Sequence, residues 1–141
     1  MKTKKLITSK LLLIGIAIFL FGATSCAKKN ITKDLSGNWT VETMTTDGVD
    51  VFDEMGGSID GTWTFSKDSN KEGSIDYAMV YNFGSDSETE TGNSSYKIID
   101  KETIEIDFDS EIIEMTIDDL TESKLVLAYT DDSEIKYVFS K

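Results

Sequence analysis

The chain has no histidine, no arginine and no proline, and only one cysteine, Cys26, in 141 residues. Without histidine there is no imidazole base, no Ser-His triad and no histidine metal site. Twenty-six acidic residues face 14 lysines, a net charge of −12 that repels phosphate backbones and excludes nucleic acid as a partner. A single cysteine forms no intramolecular disulfide, so stability must come from apolar burial. Neither a Gly-Lys-Ser/Thr phosphate loop nor a dinucleotide fingerprint occurs. Long apolar runs are scarce too. The one from Leu11 to Ala23 has 13 residues, short of the roughly 20 needed to span hydrocarbon. The absences point to a non-enzymatic protein with no cofactor and no metal centre.

What is present begins at the N-terminus. Lys2, Lys4, Lys5 and Lys10 precede the apolar run, and Gly22-Ala23-Thr24-Ser25 lead into Cys26. A basic start, a short apolar stretch and small residues before a cut make a secretory signal peptide. Ending on cysteine, it resembles a bacterial lipoprotein signal. The resemblance implies cleavage before Cys26 and acylation of its thiol, with palmitate-type chains anchoring the protein to a membrane without spanning it. Ala27, Lys28 and Lys29 follow, with no aspartate after the cysteine. In such lipoproteins that pattern implies the cell envelope, at the periplasmic face of the outer membrane.

The expected organisation is a signal peptide over 1–25, a lipidated cysteine and tether over 26–34, and one domain over 35–141. Losing the four signal lysines leaves ten against 26 acids, a mature charge of about −16. The tether is basic and the domain acidic.

From Leu35 onward the apolar residues recur with period two. The clearest run is Ile75, Tyr77, Met79, Tyr81 and Phe83, with Asp76, Ala78, Val80 and Asn82 between them. Such alternation marks half-buried antiparallel strands. It predicts eight of them, near 37–46, 61–67, 73–83, 94–99, 102–108, 111–117, 124–130 and 134–140. Turn chemistry such as Asp60-Gly61, Asp100-Lys101 and Asp131-Asp132-Ser133 separates them, and short links force neighbours to pair as hairpins. An all-β, eight-stranded up-and-down meander with one apolar face removes its edges by closing into a barrel. Two connections are longer: 47–60 reads as a short helix or flap with an apolar side, and 84–93 as a polar, mobile hairpin tip.

Leu35-Ser36-Gly37-Asn38-Trp39-Thr40-Val41 contains a Gly-x-Trp pattern at the start of the first strand. Met115-Thr116-Ile117-Asp118-Asp119-Leu120-Thr121, Lys124-Leu125-Val126-Leu127 and Tyr137-Val138-Phe139-Ser140-Lys141 follow further on. On these residues the chain resembles the lipocalin-like lipoproteins of Gram-negative bacteria. The resemblance implies a lipocalin-like barrel with Trp39 closing one end. Lipocalins place an arginine over that tryptophan; here only Lys136 or Lys141 is available to replace it. The domain is short for the family, which implies a shallow or incompletely closed barrel.

Carboxylates are plentiful, but Glu105, Asp107 and Asp109 fall opposite Ile104, Ile106 and Phe108 and face water, where nothing elevates a pKa for glycosidase work. Their spacing fits no calcium loop. The candidate ligand site or core is the barrel interior: Trp39, Trp63, Phe65, Tyr77, Met79, Tyr81, Phe108, Tyr129 and Tyr137, with Phe83, Met115 and Phe139 on the same inward face. Either these rings fill the barrel solidly, or they line a pocket for a small hydrophobic ligand with tyrosine hydroxyls as polar orienters. The alternative function is a protein-interaction module, with no pocket, that docks a partner on its acidic outer face or the 47–60 flap.

Overall fold

A computed structural model describes residues 30–141. Alternating side chains give each strand one inward and one outward face. The strands are β1 (Gly37–Thr46), β2 (Val49–Asp50), β3 (Ser58–Lys67), β4 (Glu72–Phe83), β5 (Asp86–Ile98), β6 (Thr103–Phe108), β7 (Glu111–Leu120), β8 (Lys124–Thr130) and β9 (Glu134–Ser140). Two short helices join them, α1 (Ile31–Leu35) and α2 (Val51–Glu54). The long strands pair antiparallel in chain order and β9 returns to β1, while β2 adds to β1 as an extra strand. The result is a closed eight-stranded, lipocalin-like barrel.

Incomplete closure, expected from the short chain, is therefore overturned. β1 closes the barrel because it serves two neighbours in turn. Its start pairs with β3 (Gly37 with Phe65, Thr40 with Thr62), and its remainder pairs with β9 (Val41 with Phe139, Thr46 with Ile135). Bulges between Val41 and Thr43 and between Ile117 and Asp119 supply the bends that a small barrel needs. At Gly73, β4 lies too close to its neighbours for a side chain. A Cβ there would lie 2.0 Å from the Ser66 carbonyl oxygen and 2.6 Å from the Tyr96 ring.

The barrel has a plugged end and a mouth. At the plugged end α1 buries Ile31, Thr32 and Leu35, and Trp39 is fully buried beneath it. The Trp39 Nε1–H donates to the Leu35 carbonyl at 2.6 Å. Lys141 replaces the expected arginine: its Nζ stands 4.2 Å from the Trp39 ring centroid and donates to the carbonyls of Ser36 (2.8 Å) and Asp34 (3.3 Å). The ammonium supplies a cation–π contact in place of guanidinium stacking. Lys136 instead pairs with Asp118 at 3.0 Å and Glu134 at 3.4 Å.

At the mouth, residues 58–61 of β3 pair with β4 alone; of the flap expected over 47–60, residues 58–60 are part of this strand, and 47–57 fill the space beside it. Asp50 caps α2 by accepting from the Phe52 and Asp53 amides at 3.0 Å. Phe52 is buried, 5.9 Å from Tyr81 and 5.6 Å from Phe83 between ring centroids. Burying that ring contributes about 2 kcal/mol.

Several features differ from what the sequence predicts: β3 begins at Ser58 rather than 61, and β7 runs to Leu120 rather than 117. Residues 31–34, assigned to the tether, belong to α1 because Ile31 and Thr32 have the domain core to enter. β5 begins at Asp86 rather than near 94, so the expected mobile tip is a strand paired with β4 through Phe83 and Asp86. Its inward positions there are Glu88, Glu90 and Gly92, which leave no apolar alternation to read. Phe83, expected inside, is 41% exposed at the rim, where it leans on Phe52.

Candidate functional site

The interior is not filled throughout. A cavity of about 170 Å³ occupies its mouth half. Trp63 from β3, Met79 from β4 and Met115 from β7 form its buried floor, with the Trp63 indole N–H 3.2 Å from the Met79 sulfur. Tyr77 and Tyr81 flank Met79 at two-residue spacing on β4, so all three share the inward face. Phe108, Ile113, Tyr129 and Tyr137, each half-buried, bring β6 to β9 into the wall. Trp63 anchors the rings, with centroids at 6.3 Å to Tyr77, 6.0 Å to Phe108 and 5.6 Å to Tyr137.

Gly92 is required where Tyr77 crosses β5. A Cβ there would sit 2.4 Å from the Tyr77 hydroxyl, so only glycine lets that ring lie against the wall. Two residues earlier, Glu90 faces inward opposite Met79, and its Oε2 accepts from the Tyr81 hydroxyl at 3.2 Å. It is the one charged side chain among the cavity residues.

Of the residues singled out from sequence, Trp63, Tyr77, Met79, Tyr81, Phe108, Tyr129 and Tyr137 meet in this cavity. Trp39 and Phe65 do not; both are fully packed, Trp39 in the plug and Phe65 against Tyr96 at 5.5 Å. Cys26 lies outside the described residues. The sequence reading missed Glu90 and Ile113. Counting back by twos from Tyr96 through Ser94 and Gly92 reaches Glu90, and Ile113 shares the parity of Met115. Among the described residues, no group of three or more acidic or cysteine side chains is placed to hold a metal.

Burial raises the hydroxyl pKa of all five tyrosines. Carboxylates near the mouth add to it: Glu90 and Asp109 on Tyr77, Glu90 and Glu88 on Tyr81, Asp131 and Glu111 on Tyr129. Tyr81 and Tyr96 are pushed up to about 12. The tyrosinate band is therefore expected to rise later than pH 10, the ordinary midpoint for the side chain. A raised folded pKa gives stability that is complete below the unfolded value and lost as pH climbs through the folded one. Denaturation midpoints should thus hold up to about pH 10 and fall from there to about pH 12. A tyrosinate titration centred at pH 10 in folded protein would contradict this.

No family model matches the chain, and no curated protein does. Solved structures match its fold. A redesigned β-barrel, mFAP1, bound to DFHBI, has a TM-score of 0.55 at 19% identity, covering 80% of this chain and 100% of that one. EF1p2_mFAP2b bound to DFHBI has a TM-score of 0.52 at 17% identity, covering 77% of this chain and 94% of that one. A further redesigned barrel has a TM-score of 0.53 at 17% identity, with 78% and 93% covered. These likenesses place the chain among small antiparallel barrels of lipocalin-like form. At such identities they speak for the fold alone.

Proposed function

We propose that the protein is a non-enzymatic, small-ligand-binding barrel held at a membrane by lipid on Cys26. The observation that carries the binding claim is the mouth cavity. Its 170 Å³ is below the roughly 300 Å³ of drug-sized sites but matches the approximately 150 Å³ that accommodates benzene in an engineered core. The barrel thus takes one ring or a group of that size, with anything larger standing out at the rim. That two of the fold neighbours are described as bound to DFHBI, a small molecule, is in keeping with this use of the fold.

The anchor fits the geometry. The chain enters the domain through α1 at the plugged end, so a tether from Cys26 joins the barrel opposite its mouth. Every described lysine except Lys136 lies at that end, Lys33 in α1 and the others at strand ends and turns. Asp34, Asp68, Glu72 and Asp100 share that end, and Lys101 and Lys124 are paired with Glu102 and Asp119, so it is far less acidic than the mouth and repels an anionic bilayer less. The mouth then opens away from the membrane.

Calorimetric titration of the full-length protein with phenol tests the cavity. Saturable binding is expected, weakened about tenfold or more in Ile113→Trp, whose added ring occupies the space, while denaturation midpoints change little. Equal binding by the two proteins would place phenol elsewhere and reject the site. Cys26→Ser is expected to move the protein from the membrane to the soluble fraction; membrane retention would reject the anchor.

A further inference from the structure

This inference rests on the small-ligand reading and names the ligand's chemistry. We infer that the mouth cavity selects a compact organic cation, of the alkylammonium or quaternary ammonium class, held by an aromatic cage and one carboxylate.

Three independent features converge on it. The first is the wall. Trp63, Tyr77, Tyr81, Phe108, Tyr129 and Tyr137 surround a space the size of a trimethylammonium group with a short stem. Aromatic faces attract cations within about 6 Å of the ring centre, most strongly for tryptophan and tyrosine, and more so where water is displaced. Trp63, the best donor of such attraction, is buried in the floor rather than spent at the rim.

The second is Glu90. It is the only charged residue on the cavity's lining and carries the sign a cation requires. Tyr81 holds it by donating a hydrogen bond to one oxygen, Oε2, at 3.2 Å. Glu90 is exposed to solvent at the cavity's rim, where its carboxylate would meet an ammonium arriving from the mouth as its counter-ion.

The third is the distribution of charge over the barrel. Asp47, Asp50, Asp53, Asp86, Glu88, Asp109, Glu111 and Asp131 stand at the mouth, whereas the described lysines other than Lys136 are at the opposite end. Lys136 is itself held by Asp118 and Glu134. A mouth of one sign raises the local concentration of the opposite ion and speeds its arrival. Anionic ligands, fatty acids among them, meet repulsion at the same place.

The test uses choline, its neutral carbon isostere 3,3-dimethylbutan-1-ol, and phenol, each titrated calorimetrically into the full-length protein at low and moderate salt. Choline is expected to bind about tenfold more tightly than the isostere, with the preference shrinking as salt rises. Glu90→Gln should lose several-fold in choline affinity and leave phenol unchanged; Tyr137→Leu should weaken both. If the isostere binds as well as choline, or Glu90→Gln leaves choline affinity intact, the cation inference is overturned while the small-ligand reading stands. If none of the three binds to protein with the expected strand-rich circular dichroism, both readings fall together.

Discussion

Trp39→Ala is expected to remove about 4 kcal/mol of stability, the largest loss of any single truncation in the barrel. Its ring is fully buried where β1 leaves α1, opposite Trp63 in the β1–β3 register. Truncation opens a ring-sized void beneath a helix of only five residues that cannot collapse to fill it. It also strands the Leu35 carbonyl, which accepts from the indole N–H, and removes the surface over which Lys141 sits. For a domain of this size, whose whole stability is about 5–15 kcal/mol, the melting temperature should fall by approximately 15 °C. Trp39→Phe separates the contributions: it keeps most of the buried area and should cost about 1 kcal/mol for the lost hydrogen bond. Urea denaturation of the three proteins measures this directly. Equal stability of Trp39→Ala and the parent would mean that the plug is not a plug.

Gly73→Ala is the second large effect, about 3 kcal/mol from one methyl group. The reason is backbone rather than side chain. The new Cβ would meet the Ser66 carbonyl oxygen at 2.0 Å and the Tyr96 ring at 2.6 Å. The ring has rotamers to try; the carbonyl belongs to β3, in the ladder that joins Lys67 to Gly73 and Ser66 to Ser74. Relief therefore means separating two strands at the plugged end. Ser74→Ala, next door and facing outward, is expected to change the urea midpoint hardly at all. If the two variants proved alike, the close crossing at Gly73 would be wrong.

The barrel was legible in the sequence because its strands are half-buried and antiparallel. Where inward positions are apolar, as from Ile75 to Tyr81 or Leu125 to Tyr129, alternation marked the strand and the face together. The same reasoning stopped at β5, since Glu88, Glu90 and Gly92 face inward without being apolar. Two of those residues shape the cavity, so the feature that hid the strand is also the one that equips the site. Closure was legible only as a need to remove edges. How it is achieved depends on β1 exchanging one neighbour for another, and no local pattern carries that register. The replacement of arginine by Lys141 is a matter of where β9 delivers that side chain relative to Trp39. Sequence offered Lys136 and Lys141 equally, and the β9 register with β1 decided between them. Whether the rings fill the barrel or line a cavity was open from sequence because it depends on the summed shapes of side chains from seven strands.

Ligand binding depends on that cavity lying between Trp63 and the mouth, with Trp39 sealed off below it. The two indole N–H resonances of the protein report on the two places separately. On titration with phenol or choline, the Trp63 resonance should shift saturably while that of Trp39, hydrogen-bonded to Leu35, stays where it is. Movement of both resonances alike, or of neither while the ligand binds, would contradict a ligand site in the mouth of this barrel.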